Sequence, residues 1–338
     1  MLAGLKAISS SLSGHYWTLE PFIPAWASFR TRARRVDSSF SSAAPVEAAA
    51  RPWSGSAEDA RFGRVYLSGQ LNVPLGATRL LLAVHGLGGN SESQYLKRPV
   101  RAAASLGWAC LRLNMRGADG SGEDFYHAAL TADLHAALAS PELSAFNDIY
   151  VLGYSLGGHL ALRFAAEAHD PRVRSVAAVC SPLDLARSAS AIDRPFSLPY
   201  RHYVLRRLKQ SYAEVAQRRR APTPLTTVLR VRSIRHWDAC TVVPRYGFES
   251  TADYYERASA MGRLGALRVP ALLVNAEHDP MVPAETVRPA LANPPPRLDV
   301  RWLKAGGHVG FPLDVDLGER APRGLERQIM SWLSNATS

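Results

Sequence analysis

Short apolar runs alternating with stretches of helical spacing constrain this chain more than any other feature, because few folds accommodate them. "RLLLAVHG" (79–86), "WACLRLN" (108–114), "DIYVLGYS" (148–155) and "VRSVAAVCSP" (173–182) are strand-like. Residues 93–106, 127–139 and 156–168 between them have helical spacing. Such repetition predicts βαβ units: an α/β fold with a mostly parallel central sheet flanked by helices. "RVYLSGQLNV" (64–73) alternates instead and reads as antiparallel. The pattern stops near Asp184 and resumes with strands in "VPALLVNAEHDP" (269–280) and "LDVRWLK" (298–304) and a closing helix over 323–335. A single interruption predicts a core made of 61–183 and 263–338 with a helical cap insertion over 184–262. Residues 1–60, rich in Ser and Ala and broken by Pro21, Pro24, Pro45 and Pro52, read as an extension packing on or near the core.

Composition removes several function classes. With 338 residues, 47% of them hydrophobic, the chain can bury a substantial core, which excludes a disordered protein. No run approaches the ~18 apolar residues of a membrane span, and the N-terminus has no secretory pattern. The three cysteines, Cys110, Cys180 and Cys240, are far apart, and neither C-x-x-C nor H-E-x-x-H occurs. Neither a disulfide framework nor a metal or cofactor site is expected, and a cytoplasmic location fits. The net charge of +11 invites a nucleic-acid reading. However, residues 184–236 carry twelve Lys/Arg against three Asp/Glu, so +9 of it sits in one segment. With no nucleic-acid motif beside that charge, no nucleic-acid partner is expected.

Functional residues of a parallel sheet gather at the carboxyl ends of its strands. Ser155, Asp279 and His308 each follow a strand, in that order. Ser155 stands in G-x-S-x-G, where a serine on a sharp strand-to-helix turn is pushed out of the backbone. A serine hydroxyl needs a base to take its proton, and imidazole titrates in the right range. A carboxylate then orients the ring and stabilises the imidazolium. Serine at the elbow argues against epoxide hydrolase or dehalogenase chemistry, which uses a carboxylate nucleophile. Backbone N–H groups of Leu87, in "VHGLGGN", and of Leu156, after the serine, are the candidate oxyanion donors. A dinucleotide loop is excluded there because Ser91 stands where a third glycine is required.

Each motif also has a bland reading. G-x-S-x-G alone can be a plain turn, and Asp279 ahead of Pro280 can be a turn former. His85 reads as a hydrogen-bonded core residue and His159 as a helix-surface residue. Asp184 in "CSPLDL" is an alternative acid, since it too follows a strand.

"NMRGADGSGEDFYHAALTADL" (114–134), "GYSLGGHLAL", "YYERASA", "VPALLVNAEHDPMVP", "GGHVGF" and "GHYWTLEP" resemble motifs of the YheT-like branch of the α/β-hydrolases. The likeness runs over most of the chain and is weakest between 184 and 230. It implies Ser155 as nucleophile, Asp279 as acid and His308 as base. This chain departs from the pattern at His159, where the family usually has Asn, and at Gly89, near which an acidic residue is common. The expected function is cleavage of carboxylic esters, small-molecule acyl esters with lipids among the candidates, through an acyl-enzyme. Acyl transfer or thioester cleavage by the same intermediate is the alternative, as is a non-catalytic binding scaffold. The basic segment reads either as a solvated helical face or as a patch (Arg206, Arg207, Lys209, Arg218, Arg219 and Arg220) for peripheral contact with an anionic membrane.

Overall fold

The computed structural model describes residues 12–19, 48–167, 170–218 and 221–336. Eight strands form one sheet: β1 (Arg51–Asp59), β2 (Gly63–Asn72), β3 (Arg79–Val84), β4 (Ala109–Asn114), β5 (Asp148–Tyr154), β6 (Val173–Val179), β7 (Ala271–Ala276) and β8 (Leu298–Leu303). Their spatial order is β1-β2-β4-β3-β5-β6-β7-β8. The β1–β2 and β2–β4 pairs are antiparallel, and the others are parallel. The central strands β3 and β5 are buried almost end to end, as strands covered on both faces must be.

The first strand corrects the boundary drawn from sequence: Arg51–Asp59 is an edge strand of the sheet, inside the segment read as an extension. "RPWSGSAED" has Pro, Gly and two Ser and therefore little strand propensity. Pro52 is tolerated because the strand lies on the edge, and burial of Trp53 and Ala57 holds it in place.

The first described element is a helix, α1 (residues 12–19). Helices α2 (Lys97–Ser105), α3 (Ala132–Leu138) and α4 (Leu156–Glu167) follow β3, β4 and β5. Only Ala132–Leu138 of the stretch expected to be helical over 127–139 is α-helix. Between β6 and β7 lie α5 (Leu185–Ile192), α6 (Leu198–Arg218), α7 (Leu225–Leu229), α8 (Ile234–Cys240), α9 (Val242–Tyr246) and α10 (Thr251–Ala258). Helices α11 (Ala284–Val287) and α12 (Leu325–Asn335) follow β7 and β8. One apolar cluster joins α2, α12 and one face of the sheet; the other joins α3, α4 and the β6–β7 helices to the opposite face.

A buried ionic network fastens those helices to the sheet. Arg116, after β4, donates to Asp59 Oδ2 at 2.8 Å, Asp124 Oδ2 at 3.2 Å and Asp133 Oδ1 at 2.5 Å. Asp124 also accepts from Arg245 Nε of α9 at 2.8 Å. Breaking such a network at one partner typically costs 3–5 kcal/mol, because it strands a buried charge. Among the described residues no helix is long and apolar enough to cross a membrane.

Candidate active site

After β3 the chain pairs β4 on one side of it and later β5 on the other, so β3 and β5 form the point where strand order reverses. Loops leaving the ends of two such strands diverge and open a crevice between them. The turn after β5 holds Ser155, and the loop after β3 holds 85–90.

Ser155 has φ 54°, a left-handed conformation that costs a non-glycine residue roughly 1–2 kcal/mol. Its N–H donates to Val179 O at 2.8 Å and its carbonyl accepts from His159 N–H at 3.0 Å, so β6 and α4 hold the turn from both sides. The flanking glycines answer to contact. A Cβ on Gly153 would sit 2.1 Å from Gly157 O, and one on Gly157 would sit 2.3 Å from Val84 O.

Asp279, beyond β7, and His308, beyond β8, meet although 29 residues separate them. Nδ1–H of His308 donates to Asp279 Oδ2 at 2.8 Å. Oδ1 of the same carboxylate accepts from the N–H groups of Met281 at 2.8 Å and Val282 at 3.0 Å. Both side chains are almost fully buried. With Nδ1 committed, Nε2 is the nitrogen left for chemistry. His308 and Ser155 line one cavity of about 290 Å³, without a hydrogen bond between them. Catalytic hydrogen bonds are often loose before substrate binds.

Leu87 and Leu156 line the same cavity. Among the described residues neither backbone N–H has an acceptor. Two unsatisfied donors beside a serine hydroxyl suit a developing oxyanion. Their loop is held by two tyrosines not singled out from sequence: Gly86 N–H donates to Tyr95 Oη at 3.0 Å and Gly88 N–H to Tyr126 Oη at 2.8 Å. Tyr126 lies in the "FYH" of the quoted motif, so that signal was present; Tyr95 had none.

His85 is a core residue. Its Nδ1–H donates to Gly86 O at 2.8 Å, its Nε2 accepts from Met115 N–H at 3.2 Å, and burial pulls its pKa to about 4. The surface reading of His159 is overturned, because this residue is fully buried. Its ring nitrogens lie 2.8 Å from Pro182 O and 2.8 Å from Ala258 O, tying α4 to α10. The two contacts favour an imidazolium, since only that form donates to both. Burial and the nearby Arg163 guanidinium oppose it and pull the pKa to about 4. A histidine on the first turn of α4 faces solvent only if nothing packs over it, and α10 does. Asp184 caps α5, accepting from Arg187 N–H at 3.0 Å. Gly89 lines the cavity, and a Cβ there would meet Tyr95 Oη at 2.7 Å.

Helix α1 reaches the site. Thr18 Oγ1 accepts from His308 N–H at 2.8 Å while donating to Gly14 O at 2.8 Å. Thr18→Val keeps the shape but strands a buried N–H, at about 1–3 kcal/mol. Turnover is expected to fall about tenfold in Thr18→Val and to return in Thr18→Ser; steady-state kinetics of the two variants decides it. Equal activity in both removes Thr18 from the positioning of His308.

The basic side chains of α6 turn inward more than sequence implied. Arg207 Nε donates to Gly88 O at 3.3 Å, and Lys209 Nζ donates to Leu229 O at 2.8 Å and Val231 O at 2.6 Å. Arg218 donates to Gly120 O. These three fasten α6 to its neighbours. Arg206 is exposed, and Arg219 and Arg220 lie outside the described residues.

Residues 79–314 match a family model described as alpha/beta hydrolase fold. The YheT protein of Escherichia coli, which carries an esterase name, is 30% identical over 261 residues, 75% of this chain and 76% of that one. Phospholipase ABHD3 of Mus musculus is 26% identical, the match covering 68% of this chain and 58% of the mouse protein. A monoacylglycerol lipase of Saccharomyces cerevisiae is 24% identical over 70% of this chain and 55% of its own. The chain thus spans little more than half of the mouse and yeast proteins. Among solved structures, the Pyrococcus furiosus esterase Pf2001 superposes with a TM-score of 0.52 at 17% identity, covering 78% of this chain and 83% of that one, a likeness of fold.

Proposed function

The chain belongs to the α/β-hydrolase family, in its YheT-like branch, and is a carboxylic ester hydrolase; from that premise we propose that it works through an acyl-enzyme on Ser155. The observation that carries the reading is a strained serine facing the same cavity as a histidine whose other nitrogen is held by a buried carboxylate. His308 Nε2 takes the hydroxyl proton as Ser155 Oγ attacks the ester carbonyl. The tetrahedral oxyanion settles on the N–H groups of Leu87 and Leu156, each such donor being worth roughly 3–4 kcal/mol at the transition state. His308 then protonates the leaving alcohol, and water activated by the same nitrogen releases the acid. Asp279 orients the ring and balances its charge throughout.

We read residues 184–262 as the cap that roofs this cavity. Leu185, Val204, Leu208, Trp237 and Tyr254 supply apolar wall from that segment, which suits the acyl chain of an amphiphilic ester. A fluorophosphonate probe is expected to form one adduct, on Ser155, and p-nitrophenyl esters of four to twelve carbons to reveal a chain-length optimum. Failure of the probe to label Ser155 would leave a non-catalytic scaffold as the better reading.

A peripheral membrane contact is favoured by one observation. Phe196, Leu198, Tyr203 and Leu229 are exposed, Tyr203 also lines the cavity, and the exposed Arg206, Arg230 and Arg232 stand nearby on α6 and after α7. Each basic residue near an anionic surface contributes about 1 kcal/mol, so replacing all three with Gln should weaken binding to phosphatidylserine vesicles roughly a hundredfold. Raising salt toward 1 M, where the Debye length shrinks to ~3 Å, should act the same way. Turnover of a soluble ester is the control. Vesicle binding indifferent to both changes removes the contact.

A further inference from the structure

Within the apolar roof stands a carboxyl group that the mechanism above does not use. Asp238, on α8, is 8% exposed and lines the cavity that holds Ser155. Its Oδ2 accepts from Tyr255 Oη of α10 at 2.6 Å. Among the described residues Oδ1 has no donor, and no cation pairs with the group. The Arg235 guanidinium lies over the Tyr255 ring, 5.3 Å from its centroid, and its charge acts on Asp238 without forming an ion pair with it. Asp193, which caps α5, is occupied by the N–H groups of Ile234 and Arg235 and adds a second negative charge nearby. Tyr254 and Trp237 complete the surroundings. A buried carboxyl on the wall of an apolar cavity, with one oxygen tied and the other without a donor, is costly for folding alone.

We propose that Asp238, backed by Tyr255, is a polar subsite that takes a hydroxyl carried on the chain of the substrate. It rests on the reading that the substrate's apolar chain occupies this cavity. A hydroxyl both donates and accepts, so it suits the carboxyl in either protonation state, whereas an ammonium requires the ionised form. Burial, with Asp193 adding to it, pushes the Asp238 pKa up to about 7, so both states occur near neutrality. An unsubstituted chain leaves Oδ1 unpaired, which is how a site with a placed polar group discriminates.

The test compares p-nitrophenyl hexanoate with the 3-hydroxy- and 6-hydroxyhexanoates by kcat/KM. At least one hydroxy ester is expected to be preferred over hexanoate about tenfold by the wild type. That ratio should fall to one or below in Asp238→Leu and stay within threefold of wild type in Asp238→Asn, which keeps both donor and acceptor. Thermal unfolding checks that the variants fold and gives a second readout. The folded carboxyl holds its proton between the ordinary aspartate range and about pH 7 while the unfolded one does not, so it lowers stability progressively as pH rises through that window. Asp238→Asn should therefore raise the unfolding temperature more at pH 8 than at pH 4. A hydroxy-to-plain ratio equal in wild type and Asp238→Leu overturns the subsite and leaves ester hydrolysis standing, including the case where the variant slows all three esters alike. Hydrolysis of none of the three by wild type overturns both.

Discussion

Ser155→Ala is expected to yield a folded protein whose ester turnover is lower by at least roughly a thousandfold, in keeping with what removal of a triad nucleophile costs. The hydroxyl has no hydrogen-bond partner among the described residues, so its loss strands no buried group. The strained turn is held by backbone bonds to β6 and α4, which alanine keeps. Thermal unfolding should therefore match wild type while activity against a p-nitrophenyl ester and fluorophosphonate labelling both vanish. Activity within about tenfold of wild type would exclude Ser155 as the nucleophile.

The second large effect separates two aspartates. In Asp279→Asn the side-chain oxygen should stay on the Met281 and Val282 N–H groups, turning the amide nitrogen toward His308 Nδ1. A donor there forces Nδ1 to accept and places the ring proton on Nε2, the nitrogen that must act as base. Such a tautomer inversion lowers kcat by about 10⁴-fold in a comparable triad. Asp184→Asn should leave kcat within a few-fold, since Asp184 caps α5 and asparagine caps as well. Loss of activity in the Asp184 variant, with the Asp279 variant active, would transfer the acid role to Asp184.

Membership of the fold and the three candidate residues could be read from the chain because each depends on a local pattern. Strand-like apolar runs, helical spacing, and Ser155, Asp279 and His308 each following a strand are properties of neighbours in sequence. Parallel pairing then forces strand ends to one edge, which brings distant residues together without further information. The edge strand β1 escaped because its hold comes from partner strands and from burial of Trp53, with little propensity of its own.

What the chain alone determined was a set of candidates fixed by residue type and order: a serine at a Gly-flanked turn, a carboxylate, an imidazole, and two loop N–H groups proposed as oxyanion donors. Only the tertiary structure decided which polar groups are buried and what they face. It turned His159 from a supposed surface residue into a strut under α10, drew Arg207, Lys209 and Arg218 onto backbone carbonyls, and set Thr18 behind His308. It also placed Asp238 in the apolar wall. The physical reason is that burial and hydrogen-bond partners are fixed by contacts between segments tens to hundreds of residues apart, and no local periodicity encodes those contacts.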